Sequence, residues 1–180
     1  MYTFQFQLTE EEYFEYSLCH SYSMPKFRKR HMTQRFLYPL LFVVCAFFLW
    51  VAYANPLTAY IPFGIVTVCW IVFYRKLNEW GIRRSIKTIK ESGKAPYDDD
   101  FKAVFEEEKL LTSTKDTEVT TAYSALEKIV IGKNALYLYK NAIAAYIMPY
   151  RVFASEEEKE SFLQFLRQKT NAPVIAGVTK

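Results

Sequence analysis

Histidine, cysteine and glycine are scarce in this chain: two His, three Cys and five Gly among 180 residues. With only His20 and His31, a histidine-based metal site or acid–base pair has little to be built from. Three cysteines are an odd number, and Cys45 and Cys69 fall in a strongly apolar stretch. That argues against a disulfide framework and fits a reduced, cytoplasmic chain. Few glycines and only seven prolines exclude collagen-like and linker-dominated chains, while 18% aromatic content argues against disorder. The catalytic signatures are missing too: no Gly-rich phosphate loop, G-x-S-x-G, H-E-x-x-H or paired C-x-x-C. The sequence is read as a non-enzyme, with no catalytic residue, cofactor or metal expected. Asp98-Asp99-Asp100 lacks the spaced ligands and glycine of a calcium loop and reads as a solvated turn.

The most informative absence is charge. From Phe36 to Tyr74, 39 consecutive residues include no Asp, Glu, Lys, Arg or His. All 42 charges therefore crowd into the other 141 residues, which are more highly charged than an ordinary globular domain. A net charge of +4 and a mean hydropathy of −0.07 thus average over two regions suited to different solvents.

The uncharged block reads FLYPLLFVVCAFFLWVAYA, then Asn55-Pro56, then LTAYIPFGIVTVCWIVFY. Helices over 36–54 and 57–74 would each be about 27–28 Å long, close to a hydrocarbon core of about 30 Å. Asn55-Pro56 is a turn signal between them, and Pro39 and Pro62 are expected near helix starts, where a missing donor matters least. Tyr38 and Tyr74 fit one headgroup layer; Trp50, Tyr53 and Tyr60 fit the other. The first 25 residues carry four Glu and no Lys or Arg, unlike a signal peptide. The expectation is a transmembrane hairpin, with no small-xxx-small pattern that demands homo-oligomerisation, which stays open.

Twelve basic residues flank the block: Lys26, Arg28, Lys29, Arg30 and Arg35 before it, and Arg75, Lys76, Arg83, Arg84, Lys87, Lys90 and Lys94 after it. The connection between the spans has no charge. This asymmetry is a positive-inside signal that puts both termini in the cytoplasm of a multi-pass cell-membrane protein. Residues 1–25 sum to −4, 26–94 to +10 and 95–180 to −2. The basic collar therefore suits anionic lipid headgroups and not nucleic acid, which would need cations on the soluble part. Ile82, Ile86 and Ile89 sit at helical spacing among Arg83, Arg84, Lys87 and Lys90, so the helix is expected to continue past Arg75 as a basic amphipathic segment. Gly81 is a candidate kink and Ser92-Gly93 the end.

From Asp98 the texture turns to short strands: 101–105, 109–114, 118–123, 128–131, 135–139 and 142–150. Ser155-Glu156-Glu157-Glu158 is a capping box opening a helix whose apolar face carries Phe162, Phe165 and Leu166, fading by Asn171-Ala172-Pro173. Tyr2 to Leu8 alternates strictly between apolar and polar, and Thr9-Glu10-Glu11-Glu12 is a second capping box, opening a short helix through Phe14 and Leu18. An isolated strand would be marginal, so residues 1–25 are expected to join the sheet of residues 95–180, with the 26–94 hairpin inserted between them.

This order of an alternating strand, LTEEEY, a basic segment, two apolar spans and a strand-rich remainder resembles the YcxB-like membrane proteins. So do the stretches YSALEKI at 123–129, ALYLY at 135–139 and YIMPYRVF at 146–153. The resemblance implies a pleckstrin-homology-like fold, a bent antiparallel sheet plugged by a C-terminal helix, and implies no activity. Such domains usually capture phosphoinositides through basic residues in the first hairpin, whereas residues 106–109 here are EEEK, a sequence that would repel an anionic headgroup. The sequence is read as an α+β membrane protein whose cytoplasmic module binds or scaffolds an unidentified protein partner. The alternative is anionic-lipid or envelope sensing through the basic collar.

Overall fold

The computed structural model describes residues 1–53, 56–93 and 95–177, the side chains at 25, 26, 53 and 56–59 apart. Asn55 of the expected turn and Lys94 of the expected collar lie outside the described residues. The chain forms two units: Met1–Ser23 with Ser85–Lys180, and Met24–Arg84.

In the first unit, the alternation near the N-terminus becomes β1 (Tyr2–Gln7), with Phe4 and Phe6 buried and Thr3, Gln5 and Gln7 exposed. It pairs antiparallel with β2 (Asp100–Phe105) from Tyr2↔Phe105 to Gln7↔Asp100. β2 continues into β3 (Lys109–Ser113) and β4 (Glu118–Ala122), giving a sheet in the order β1-β2-β3-β4. A second sheet, in the order β7-β6-β5-β8, is built from β5 (Lys128–Ile131), β6 (Ala135–Tyr139), β7 (Ala145–Pro149) and β8 (Val174–Ala176).

Two sheets therefore stand where one bent antiparallel sheet was expected, and β8 is an unanticipated strand parallel to β5. Three residues after a proline carry too little periodicity to announce a strand. β7 begins at Ala145 and not at residue 142, because Asn141 Oδ1 accepts the N–H groups of Ile143 (2.8 Å) and Ala144 (2.7 Å) and holds them in a turn.

Both sheets contribute to one core. Phe4, Phe105 and Leu110 meet Ile129, Leu136, Leu138 and Met148, with Phe162, Leu163 and Leu166 of α4 (Glu156–Lys169) buried in the same cluster. Phe162 has no exposed surface and lies 4.7 Å from Phe105, 5.3 Å from Tyr2 and from Phe153, and 5.4 Å from Phe4, ring centre to ring centre. Each pair is edge-on or tilted, the arrangements aromatic quadrupoles favour. The helix starts where Ser155 Oγ accepts from Glu158 N–H at 3.2 Å, as an N-cap should.

All five residues of β6 are buried. Leu136 and Leu138 belong to the core, while Tyr137 and Tyr139 meet α1 (Glu10–Ser23) through Tyr16, at ring separations of 5.4 and 6.3 Å. α1 begins with the reciprocal bonds of a capping box: Thr9 N–H to Glu12 Oε2 at 2.8 Å, and Glu12 N–H to Thr9 Oγ1 at 3.2 Å. It runs to Ser23, longer than the helix through Leu18 read from sequence. Its acids are tied down: Glu10 to Lys90 (3.0 Å), Glu12 to Arg151 Nε (2.6 Å), and Glu15 to Asn134 Nδ2 (2.7 Å).

The second unit is a pair of long helices. α2 (Pro25–Tyr53) has 29 residues and α3 (Pro56–Glu91), whose last turns belong to the first unit, has 36. Tyr38 and Phe42 pack on Trp70, and Trp50 on Tyr60, so α2 and α3 run antiparallel. The expectation that Pro39 and Pro62 sit near helix starts does not hold: α2 starts at Pro25 and α3 at Pro56, so both prolines lie inside their helices. The basic segment and the apolar segment share one helix. Gly81, the candidate kink, lies inside α3, which ends at Glu91, just before the expected Ser92-Gly93 stop. Phe27–Ala52 and Tyr60–Glu91 are long and apolar enough to cross a membrane, and large side chains such as Val51, Ile65 and Val72 stand at least 60% exposed.

Candidate binding surfaces

Three surfaces concentrate recognisable chemistry. The first is the basic set. Arg28, Lys29, Arg30 and Arg35 are exposed on α2, and Arg75, Lys76, Arg83, Arg84, Lys87 and Lys90 on α3; Lys26 lies in the first turn of α2. Within the hairpin, His31 Nδ1 lies 3.0 Å from Tyr74 Oη, which also donates to Gln34 Oε1 at 3.1 Å. These bonds bring the basic stretch of α2 beside Arg75. Arg75 also bonds Glu79 at 3.0 Å, and the Arg84 guanidinium sits 5.4 Å over the exposed Trp80 ring. Lys87 and Lys90 belong to the sheet unit, and Lys90 is engaged by Glu10, whose carboxylate raises the lysine's pKa.

The second surface is a groove of about 310 Å³ in the sheet unit, lined by Leu8, Tyr13, Tyr16, Phe101, Tyr146 and Ile147 among others. α1 forms one wall through Tyr13 and Tyr16, which lie one helical turn apart. Tyr16 Oη donates to the Ile143 carbonyl at 2.9 Å, and Tyr146 Oη lies 2.8 Å from Thr121 Oγ1. Burial, with smaller contributions from Tyr13 and Cys19, pushes the Tyr16 phenol up to about 12. The Tyr16 phenol therefore stays protonated at neutral pH, and the groove offers apolar contact and hydrogen bonds. None of these residues stood out as a site in the sequence, although the i, i+3 spacing of Tyr13 and Tyr16 was the available signal.

Behind the groove, His20 Nδ1 lies 3.2 Å from Tyr139 Oη, and Lys128 Nζ stands 4.6 Å over the Tyr139 ring. Burial, then the Lys128 charge, pushes the His20 pKa down. Cys19 is buried and its thiol pKa is raised, chiefly by desolvation, the opposite of an activated cysteine. Asp98 accepts from Gln7 Nε2 through its backbone carbonyl at 2.7 Å, and Asp100 opens β2. Among the described residues, no group of three or more His, Cys, Asp or Glu is placed to hold a metal.

The third surface is the set of sheet edges. β7 ends its sheet on one side, while the free side of β5 is taken by β8. The edge that β5 would otherwise leave open is thus occupied by β8.

No curated protein and no solved structure matches the chain. Residues 105–166, from the end of β2 to the last apolar turn of α4, match the family model described as YcxB-like protein. Over that segment, the chain is similar to the YcxB-like family.

Proposed function

We propose that the chain is a membrane-anchored binding module. α2 and α3 cross the bilayer as a hairpin, and the sheet unit works on the cytoplasmic side as a pleckstrin-homology-like domain that binds a protein partner. The carrying observation is the contrast between the units: the helices leave their apolar side chains uncovered, whereas the sheet unit closes a core of its own. In water, an exposed apolar surface of that extent is a liability; in lipid, it is the expected exterior. The pleckstrin-homology reading is supported by element order: a four-stranded antiparallel sheet, a three-stranded meander, then a helix buried in the shared core. The groove along Tyr16 and Tyr146 supplies aromatic anchors of the kind found at protein interfaces. A photo-crosslinking residue at Ala144 should capture one specific protein in cells, and the same probe at Glu107 should not. Capture of lipid alone, or identical captures at both positions, would contradict the reading.

A second reading, anionic-lipid sensing, is favoured by Arg84 over the exposed Trp80, an aromatic–basic pair suited to a headgroup layer. It requires that R83E/R84E weaken association with phosphatidylserine vesicles, at about 1 kcal/mol per basic residue. Unchanged association would dismiss it.

A further inference from the structure

We infer that the edge of β5 is a strand-addition site for an extended protein segment, and that residues 174–176 occupy it here as an internal ligand. The inference deepens the protein-binding reading and rests on it. Among the described strands, β8 alone pairs in parallel. It is three residues long and joins α4 through residues 170–173. Its register runs Ile129↔Val174, Val130↔Ile175 and Ile131↔Ala176. Ile129 N–H donates to Pro173 O at 3.0 Å, and Gly177 N–H to Ile131 O at 2.8 Å. Val174 packs against the core, but Ile175 is 47% exposed. A short strand with so little buried surface belongs to the low-stability end of a structure and opens locally before the rest.

Strand addition draws affinity from main-chain bonds and specificity from alternate side chains, and the seated segment shows what the edge selects. An aliphatic residue at the place of Val174 meets the core. At the place of Gly177, a Cβ would come within 2.9 Å of Cys19 Sγ, 2.9 Å of Ile131 O and 3.2 Å of Val130 Cγ1. The backbone oxygen cannot move aside cheaply, so glycine is required there. The partner that fits is an extended segment with a small aliphatic residue followed by glycine three positions later, and it binds only when residues 174–177 leave.

The test uses the full chain in lipid nanodiscs and a fluorescent peptide with the sequence of residues 171–177. Gly177→Val should dislodge β8, speed hydrogen exchange at Ile129 N–H, and tighten peptide binding at least tenfold over the parent chain. A peptide carrying valine for its glycine should not bind. Equal binding by parent and variant overturns the inference, as does a variant whose Ile129 amide is freed but which takes no peptide. If the variant also loses protection at Leu136 and Leu138, a chain stopped after Ala172 replaces it, and failure of that chain to bind the peptide is equally fatal. Such failures would remove the β5 edge while leaving the module reading to the crosslinking at Ala144.

Discussion

Glu12 shows how one side chain can serve two contacts. It caps α1 through Thr9 and meets Arg151 through two bonds, Nε–Oε1 at 2.6 Å and Nη2–Oε2 at 3.0 Å. Burial works against its ionisation, yet the Arg151 hydrogen bonds and charge, with the Thr9 N–H, outweigh that and hold its pKa below 4.5. Arg151→Ala should destabilise the sheet unit by about 1 kcal/mol, a modest figure because the guanidinium is half exposed and screened. The contribution is full above the ordinary value of 4.5 and is lost as pH falls through the lower folded-state value. The gap between variant and parent in urea midpoint should therefore close on going from pH 7 to pH 3. Tyr137 presents the opposite case: its hydroxyl is buried with no hydrogen-bond partner among the described residues, and desolvation drives its pKa far up. Tyr137→Phe should leave stability unchanged or raise it by up to about 1 kcal/mol, since an unmet buried donor is removed. A loss in thermal unfolding would show that the hydroxyl is bonded after all.

Among elements, those with strong periodicity were legible in the sequence and those made by context were not. Phe4 and Phe6 alternate with Thr3 and Gln5, and the buried face follows directly. The Thr9 and Ser155 boxes mark helix starts that the side-chain bonds bear out. β8 was hidden because residues 174–176 gain strand geometry only from the β5 edge beside them. The strand at 135–139 is legible, but only α1, distant in sequence, covers its Tyr137 and Tyr139. The aromatic groove is likewise made by elements distant in sequence, and only the spacing of Tyr13 and Tyr16 hinted at it. α4 provides the sharpest test of the shared core. Phe162→Ala should cost about 3–5 kcal/mol and expose tryptic sites throughout residues 95–177, whereas Phe165→Ala, at a partly buried position, should cost less. Equal losses would mean that the core is not organised around the Phe162 ring.

At the scale of the molecule, the missing charge between Arg35 and Arg75 separates a region suited to lipid from one suited to water. The sequence carried that division because composition alone expresses it. Residues 1–23 contribute β1 and α1 to the unit completed by residues 85–177, so a hairpin is inserted into one folded body. A β-strand and an ion-paired helix tie the two sequence-distant parts together, through Phe4 and Phe6 on one side and Glu10, Glu12 and Glu15 on the other.

The most direct measurement is of topology. In a chain freed of its native cysteines, single cysteines at Asn55 and at Glu107 are exposed to a membrane-impermeant maleimide on intact cells. We expect Asn55→Cys to label from outside and Glu107→Cys to label only after the membrane is opened. Labelling of both positions from the same side, or recovery of the chain in the soluble fraction, would contradict the hairpin anchor.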